Sequence, residues 1–228
     1  AAGANACVLH YRAGDAPLRA GELVLIDAGC EFDSYAGDIS RTFPASGRFS
    51  AAQRDLYDLV LAGQQAAIDA TRPGARFTDP HDATVRVLAR GMLDFGLLDA
   101  NRVGTVDDVI EQRAYFRFYM HRTGHWLGLD VHDCGSYVEP TELGRASERR
   151  DPLSGELIKD RPSRILRPGM VTTIEPGIYV RPADDVPEIY WNIGIRIEDD
   201  AVVTGDGCEL ITRSVPVLAD EIERLMQE

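Results

Sequence analysis

Leu23-Val24-Leu25-Ile26-Asp27-Ala28-Gly29 is an unbroken apolar run that ends on a carboxylate and a glycine. The run reads as a core strand, and a single Asp at its end would ordinarily be a turn or cap residue. The pattern recurs, however. Ile193-Gly194-Ile195-Arg196-Ile197 ends on Glu198, and Met170-Val171-Thr172-Thr173-Ile174 runs into Glu175-Pro176-Gly177. Asp38 follows in Gly37-Asp38-Ile39-Ser40-Arg41-Thr42, and His125 stands in His121-Arg122-Thr123-Gly124-His125-Trp126-Leu127-Gly128. Buried carboxylates without partners are costly, so three of them closing apolar strands are hard to explain as three separate turns. One shared pair of cations explains them together. Asp27, Asp38, His125, Glu175 and Glu198 suffice to hold two divalent ions, with some carboxylates bridging.

The bulk properties bound the reading. The chain has 228 residues, 44% of them apolar, which suits one large domain spanning residues 1–228 with a real core. Its formal charge is −13, from 24 basic and 37 acidic residues, so nucleic acid is not expected as a partner. Part of that acidity belongs to the candidate metal site. No apolar run is long enough to cross a bilayer and no signal peptide is apparent, so no membrane partner and a cytoplasmic location are expected. Cys7, Cys30, Cys134 and Cys208 contain no CxxC pair and read as reduced, partly buried thiols.

Strand and helix signals alternate along the chain. Residues 7–12 and 22–30 read as strands joined by the turn-rich segment 13–17, and a short strand leads to Asp38. Ser50 reads as an N-cap. Leu56, Leu59, Val60, Ala67 and Ile68 then recur at helical spacing up to Arg72-Pro73-Gly74. A second helix is predicted over about 79–95, stopped by Gly96, and residues 101–116 read as a weaker helix or loop. Strands return at 171–174, 177–180 and 192–203, before a closing helix around 220–227. Residues 139–162 are charged and contain Pro and Gly. They read as a solvated excursion, with a substrate-contacting loop as the alternative.

Five segments together carry a resemblance. The runs 23–29, Tyr35-Ala36-Gly37-Asp38-Ile39-Ser40-Arg41-Thr42-Phe43-Pro44, Gly124-His125-Trp126-Leu127-Gly128-Leu129-Asp130-Val131-His132-Asp133, Ile174-Glu175-Pro176-Gly177 and Gly194-Ile195-Arg196-Ile197-Glu198-Asp199-Asp200 resemble, in order, the catalytic domain of aminopeptidase P, the Xaa-Pro aminopeptidases. The resemblance implies an α+β pita-bread fold, with a curved, mainly antiparallel sheet and covering helices. It also implies hydrolysis of the bond between an N-terminal residue and a following proline by a metal-bridging hydroxide. In this reading Asp38 and Glu198 bridge the metals, Asp27 chelates one, and His125 and Glu175 complete the other. Glu175 also moves the water's proton to the leaving nitrogen. His10, His121 and His132 would surround the substrate, lining the proline pocket and hydrogen-bonding the reacting carbonyl. Tyr179 and Arg196 match positions close to the ligands, and alternation puts Arg196 on the face of Glu198, where charge balance for Glu198 is its other reading. An oxygen-rich set with one imidazole and no thiolate favours Mn²⁺, with Zn²⁺ and Co²⁺ as alternatives. His81 has no counterpart in the resemblance and reads as a surface residue.

Competing readings are a prolidase confined to Xaa-Pro dipeptides, a methionine aminopeptidase, and a non-enzymatic binding protein on the same fold. The last usually lacks ligands that this chain keeps, while the 139–162 segment is longer than the resembling enzymes usually have. The chain also opens without Met on its first core strand. The expectation is therefore that the first covering helices come from another, N-terminal piece of the same protein, within a homo-oligomer.

Overall fold

The computed structural model of the chain describes residues 1–12 and 14–228, so the first residue of the expected 13–17 turn lies outside the described residues. Strands β1 (Leu23–Asp27), β2 (Glu31–Phe32), β3 (Tyr35–Ala36) and β4 (Ser40–Pro44) open the fold. Helices α1 (Ala51–Ala70), α2 (Asp79–Asp94), α3 (Ala100–Val103) and α4 (Val106–Glu111) follow, then a hairpin of β5 (Ser147–Arg150) and β6 (Leu157–Asp160). The last part holds β7 (Val171–Ile174), β8 (Gly177–Val180), β9 (Ile193–Arg196), β10 (Asp199–Val203), β11 (Cys208–Leu210) and α5 (Ala219–Leu225). Every ladder among the described residues is antiparallel: β1 with β4, β2 with β3, β5 with β6, β8 with β9, and β10 between β7 and β11. Helices outside and ladders meeting at a central cleft make this the pita-bread fold.

Helix α1 starts where the sequence places its cap. The Ser50 hydroxyl accepts from the Gln53 N–H at 3.2 Å, and the Gln53 side chain accepts from the Ser50 N–H at 2.9 Å, a reciprocal box that satisfies two orphan donors. Leu56, Tyr57, Val60 and Ala67 fall on its buried face. Gly91 of α2 lets the two helices approach closely, because a Cβ there would lie 2.4 Å from Leu59. Their common face, with Leu88 and Met92, covers Ile178, Val180, Ile193 and Ile195 of β8 and β9. Burial of side chains of this size contributes roughly 1.5–3 kcal/mol each. That apolar layer forms the rigid back wall of the cleft.

Four expectations are corrected. Residues 7–12 do not form a strand; a 3-10 turn, Gly3–Cys7, takes in the first of them. The edge of β1 that such a strand would need is taken by Ala1 and Ala2, since the Leu25 N–H donates to the Ala1 carbonyl at 2.8 Å and Ala2 bridges Val24. Ala6 and Cys7 instead bury against β9. Residues 192–203 are not one strand. β9 pairs with β8, the Ile197 N–H then donates to the Pro176 carbonyl, the Glu198 N–H to the Ser40 carbonyl, and β10 continues beside β7. The break occurs because the chain changes ladder partners there. His81 is half-buried, since the first turn of α2 presses it against Thr123, with Nδ1 3.0 Å from the Thr123 hydroxyl. The four thiols are free, and Cys7 is buried and Cys208 half-buried, but Cys30 and Cys134 are exposed because they sit in the loops after β1 and after His132. The 139–162 segment is a turn and hairpin with an exposed β5, as a solvated excursion should be, although Glu139 at its root is buried.

Candidate metal centre

The break between β9 and β10 builds the site. It turns Glu198 toward β4, where the Ser40 hydroxyl donates to Glu198 Oε2 at 2.7 Å. Asp27 ends β1 and Asp38 precedes β4, so the β1–β4 ladder brings both carboxylates to the same end. Asp38 is also held from behind, because its N–H donates to Asp200 Oδ2 at 3.1 Å. His125 lies over β7: the Thr173 N–H donates to the His125 carbonyl at 3.0 Å. A Cβ on Gly124 would lie 2.1 Å from the Thr173 carbonyl oxygen, so only glycine permits this approach. Glu175 follows β7, with its N–H donating to the Thr123 carbonyl at 2.7 Å.

Ligand atoms of Asp38, His125 and Glu198 all lie within 4.8 Å of one another. Asp38 Oδ2 and Glu175 Oε1 lie 3.4 Å and 3.7 Å from His125 Nε2. His125 Nδ1 is 2.9 Å from the Trp126 carbonyl, which can only accept, so Nδ1 carries a hydrogen and Nε2, on the side of the carboxylates, is the ring nitrogen that a metal would take. This is how a metal-binding imidazole is usually oriented. Asp27 is the most open member, its side chain 43% exposed rather than buried as the run before it suggested.

Charge makes the same point. Asp27, Asp38, Glu175 and Glu198 face Arg196, and burial together with mutual repulsion raises three of the four carboxyls. Burial pushes Glu175 up to about 7, and burial with Glu175 and Asp38 nearby pushes Glu198 well above the carboxylate range. Burial also raises Asp27. Burial acts on Asp38 too, but hydrogen bonds with His125 and Asp27 outweigh it and hold that carboxyl down. A site where carboxylates repel one another around an imidazole suits divalent cations. The donor set therefore fits the metal that the sequence implies.

Nine of the ten residues singled out from the sequence line one cavity of about 520 Å³: His10, Asp27, Asp38, His121, His125, His132, Glu175, Arg196 and Glu198. Tyr179 is the exception. It is buried behind the wall, where its hydroxyl lies 2.8 Å from His121 Nε2 and accepts from Arg196 Nη1 at 3.1 Å. Arg196 does not pair with Glu198; its guanidinium donates to Asp27 Oδ2 at 2.6 Å, to the Ser40 hydroxyl and to Tyr179. The His132 ring lies tilted against that of His125, with ring centroids 4.1 Å apart.

Several residues of the site had no signal of their own in the sequence. Ser40 joins Arg196 to Glu198, Thr173 donates to Glu175 Oε1 at 3.4 Å, and the Tyr119 hydroxyl lies 2.6 Å from that of Thr123. Ser40→Ala removes the donor that orients Glu198 and is expected to weaken divalent-metal affinity by about 10–100-fold. Titration of the metal-free protein with Mn²⁺ measures this, and an unchanged affinity would remove Ser40 from the site.

Comparison with known proteins agrees with this geometry. The chain is 48% identical over 226 residues to a Xaa-Pro aminopeptidase of Haemophilus influenzae, covering 99% of this chain and 47% of that protein. It is 46% identical over 224 residues to a Xaa-Pro aminopeptidase of Escherichia coli K12, covering 98% and 45%. The solved aminopeptidase PepP of Pseudomonas aeruginosa superposes with a TM-score of 0.87 at 49% identity, covering 100% of this chain and 46% of that one. The chain thus spans about half the length of the curated relatives it matches. The family model described as metallopeptidase family M24 matches residues 1–205, and on that match, over a fold and ligand set that agree with it, the chain belongs to metallopeptidase family M24.

Proposed function

We propose that the chain is the catalytic domain of an Xaa-Pro aminopeptidase, which removes an N-terminal residue from peptides with proline in second place. The observation that carries this reading is the convergence of Asp27, Asp38, His125, Glu175 and Glu198 on one cavity, in a chain whose relatives bear that name. Asp38 and Glu198 would bridge two divalent ions, Asp27 would serve one, and His125 and Glu175 the other. The oxygen-rich donors favour Mn²⁺. When bound, two such ions lower the pKa of a shared water and polarise the scissile carbonyl.

The protein's own groups supply the rest. Glu175, oriented by Thr173, is the acceptor for the water's proton and returns it to the proline nitrogen as that nitrogen leaves. His121 is neutral at ordinary pH, since burial pushes its imidazole down to about 4. Its Nδ1–H donates to the Arg122 carbonyl at 2.7 Å, and its Nε2 accepts from the Tyr179 hydroxyl. Both ring nitrogens are thereby engaged and the ring is fixed in one orientation, so the expected hydrogen bond from His121 to the reacting carbonyl is not available while these contacts hold. His10 and His132, both exposed on the cavity lining, are free to contact the peptide. Arg196 neutralises Asp27 and holds Tyr179 in place.

Hydrolysis of Ala-Pro and Ala-Pro-Ala in the presence of Mn²⁺ tests the reading. Release of alanine from the tripeptide is the expected result. Cleavage of the dipeptide alone would indicate a prolidase, and cleavage of neither would overturn the assignment.

A further inference from the structure

A second cavity, of about 680 Å³, adjoins the metal-lined one and shares Arg122, Gly124 and Tyr137 with it. Its apolar lining includes Phe77 from the loop before α2 and Ile158 from β6, so the hairpin of the 139–162 segment forms one of its walls. Charge is distributed unevenly around it. Two of its arginines are neutralised, Arg113 by Asp151 and Arg149 by Asp160. Arg122, Lys159 and Arg161 also line it and make no ion pair among the described residues. Against them stand Glu111 and Asp82, the latter with its carboxyl pushed up by burial and by Asp79. Unpaired cations gathered in one cavity are conspicuous in a chain of formal charge −13.

A second observation is independent of charge. Ser163 lines the same cavity, and its hydroxyl is buried with no hydrogen-bond partner among the described residues. Buried hydroxyls are nearly always paired, so an unpaired one in a residue beside a cavity points to a missing acceptor. The volume lies in the range of roughly 300–1,000 Å³ found for sites that enclose organic ligands, and exceeds what a lone inorganic ion needs. Such a cavity suits an extended molecule with an anionic group.

We propose that this cavity is a distal subsite for the peptide, taking a carboxylate-bearing residue downstream of the proline, with Arg122, Lys159 and Arg161 as its cationic lining and Ser163 as a hydrogen-bond donor. The proposal rests on the peptidase reading above. Because the cavities adjoin at Arg122, Gly124 and Tyr137, residues downstream of the proline come within reach of the second one, since an extended chain advances about 3.3–3.6 Å per residue. Arg122 also couples the two sites, because its carbonyl holds the His121 ring.

The test uses amidated Ala-Pro-Ala-Ala-Glu and its Gln and Lys counterparts with Mn²⁺-loaded protein. Wild type is expected to favour the Glu peptide over Gln by about tenfold in kcat/KM. Lys159→Glu combined with Arg161→Glu should abolish that preference and favour the Lys peptide instead. Both side chains are exposed, so this variant should fold. Calorimetry on Mn²⁺-loaded Glu175→Gln protein gives the same ratio as dissociation constants without rapid turnover. Should wild type cleave no Xaa-Pro peptide, the peptidase reading falls and the calorimetric ratio still decides the subsite. Equal affinity for the Glu and Gln peptides, or a preference that survives charge reversal, would overturn the proposal. So would inorganic phosphate binding at the cavity with no discrimination between peptides.

Discussion

Asp38→Ala should abolish peptide hydrolysis, with a loss on the order of 10³-fold or more, equivalent to about 4 kcal/mol or more of transition-state stabilisation. Asp38 stands between His125 and Asp27 and is buried, so its removal leaves a gap in the middle of the ligand set. Without it, two cations would face each other with one bridging charge fewer, and both occupancy and rate should fall. Thermal unfolding provides a second reading. A ligand at 100 times its dissociation constant stabilises a protein by about 2.7 kcal/mol, and the variant should lose most of the rise in Tm that Mn²⁺ gives the wild type. A variant that keeps two bound ions and near-normal turnover would remove Asp38 from the bridge.

Glu175→Gln should separate binding from chemistry. The amide keeps the shape and one oxygen of the carboxylate but cannot take up a proton. kcat should fall by about 10²–10⁴-fold while KM changes little. Thr173 still donates to the side-chain oxygen, so the local geometry should survive. Equal losses in kcat and in substrate affinity would argue that Glu175 only binds metal.

These expectations rest on residues that could be read without the structure, and the reason is physical. A carboxylate at the end of an apolar run is conspicuous because burial makes it costly, and Asp27, Glu175 and Glu198 all carried that mark. Helices α1 and α2 were equally legible, since Ser50, the apolar spacing and the Gly96 stop act locally. What escaped depends on partners distant in sequence. The break at Ile197 and Glu198 exists because Pro176 and Ser40 accept from those two N–H groups. Nothing in the run 193–203 itself signals a change of partner. Residues 7–12 carried strand-like character but found no edge to pair with, because Ala1 and Ala2 already occupied that of β1.

The supporting shell was the least legible part. Ser40, Thr123, Thr173 and Asp200 are ordinary polar residues whose roles exist only through contacts made across the fold. Arg196 was placed on the correct face, yet its partner is Asp27, from a strand 169 residues away in sequence. His81 looked superficial because a lone His near a helix start carries no pattern, whereas packing of α2 against Thr123 brings it under the site.

The central claim is that five side chains hold two divalent ions. An anomalous difference map from crystals grown with Mn²⁺ tests it most directly. The account predicts two peaks about 3.5–4 Å apart, with Asp38 and Glu198 touching both, Asp27 one, and His125 and Glu175 the other. A single peak, or two peaks without Asp38 and Glu198 between them, would contradict it.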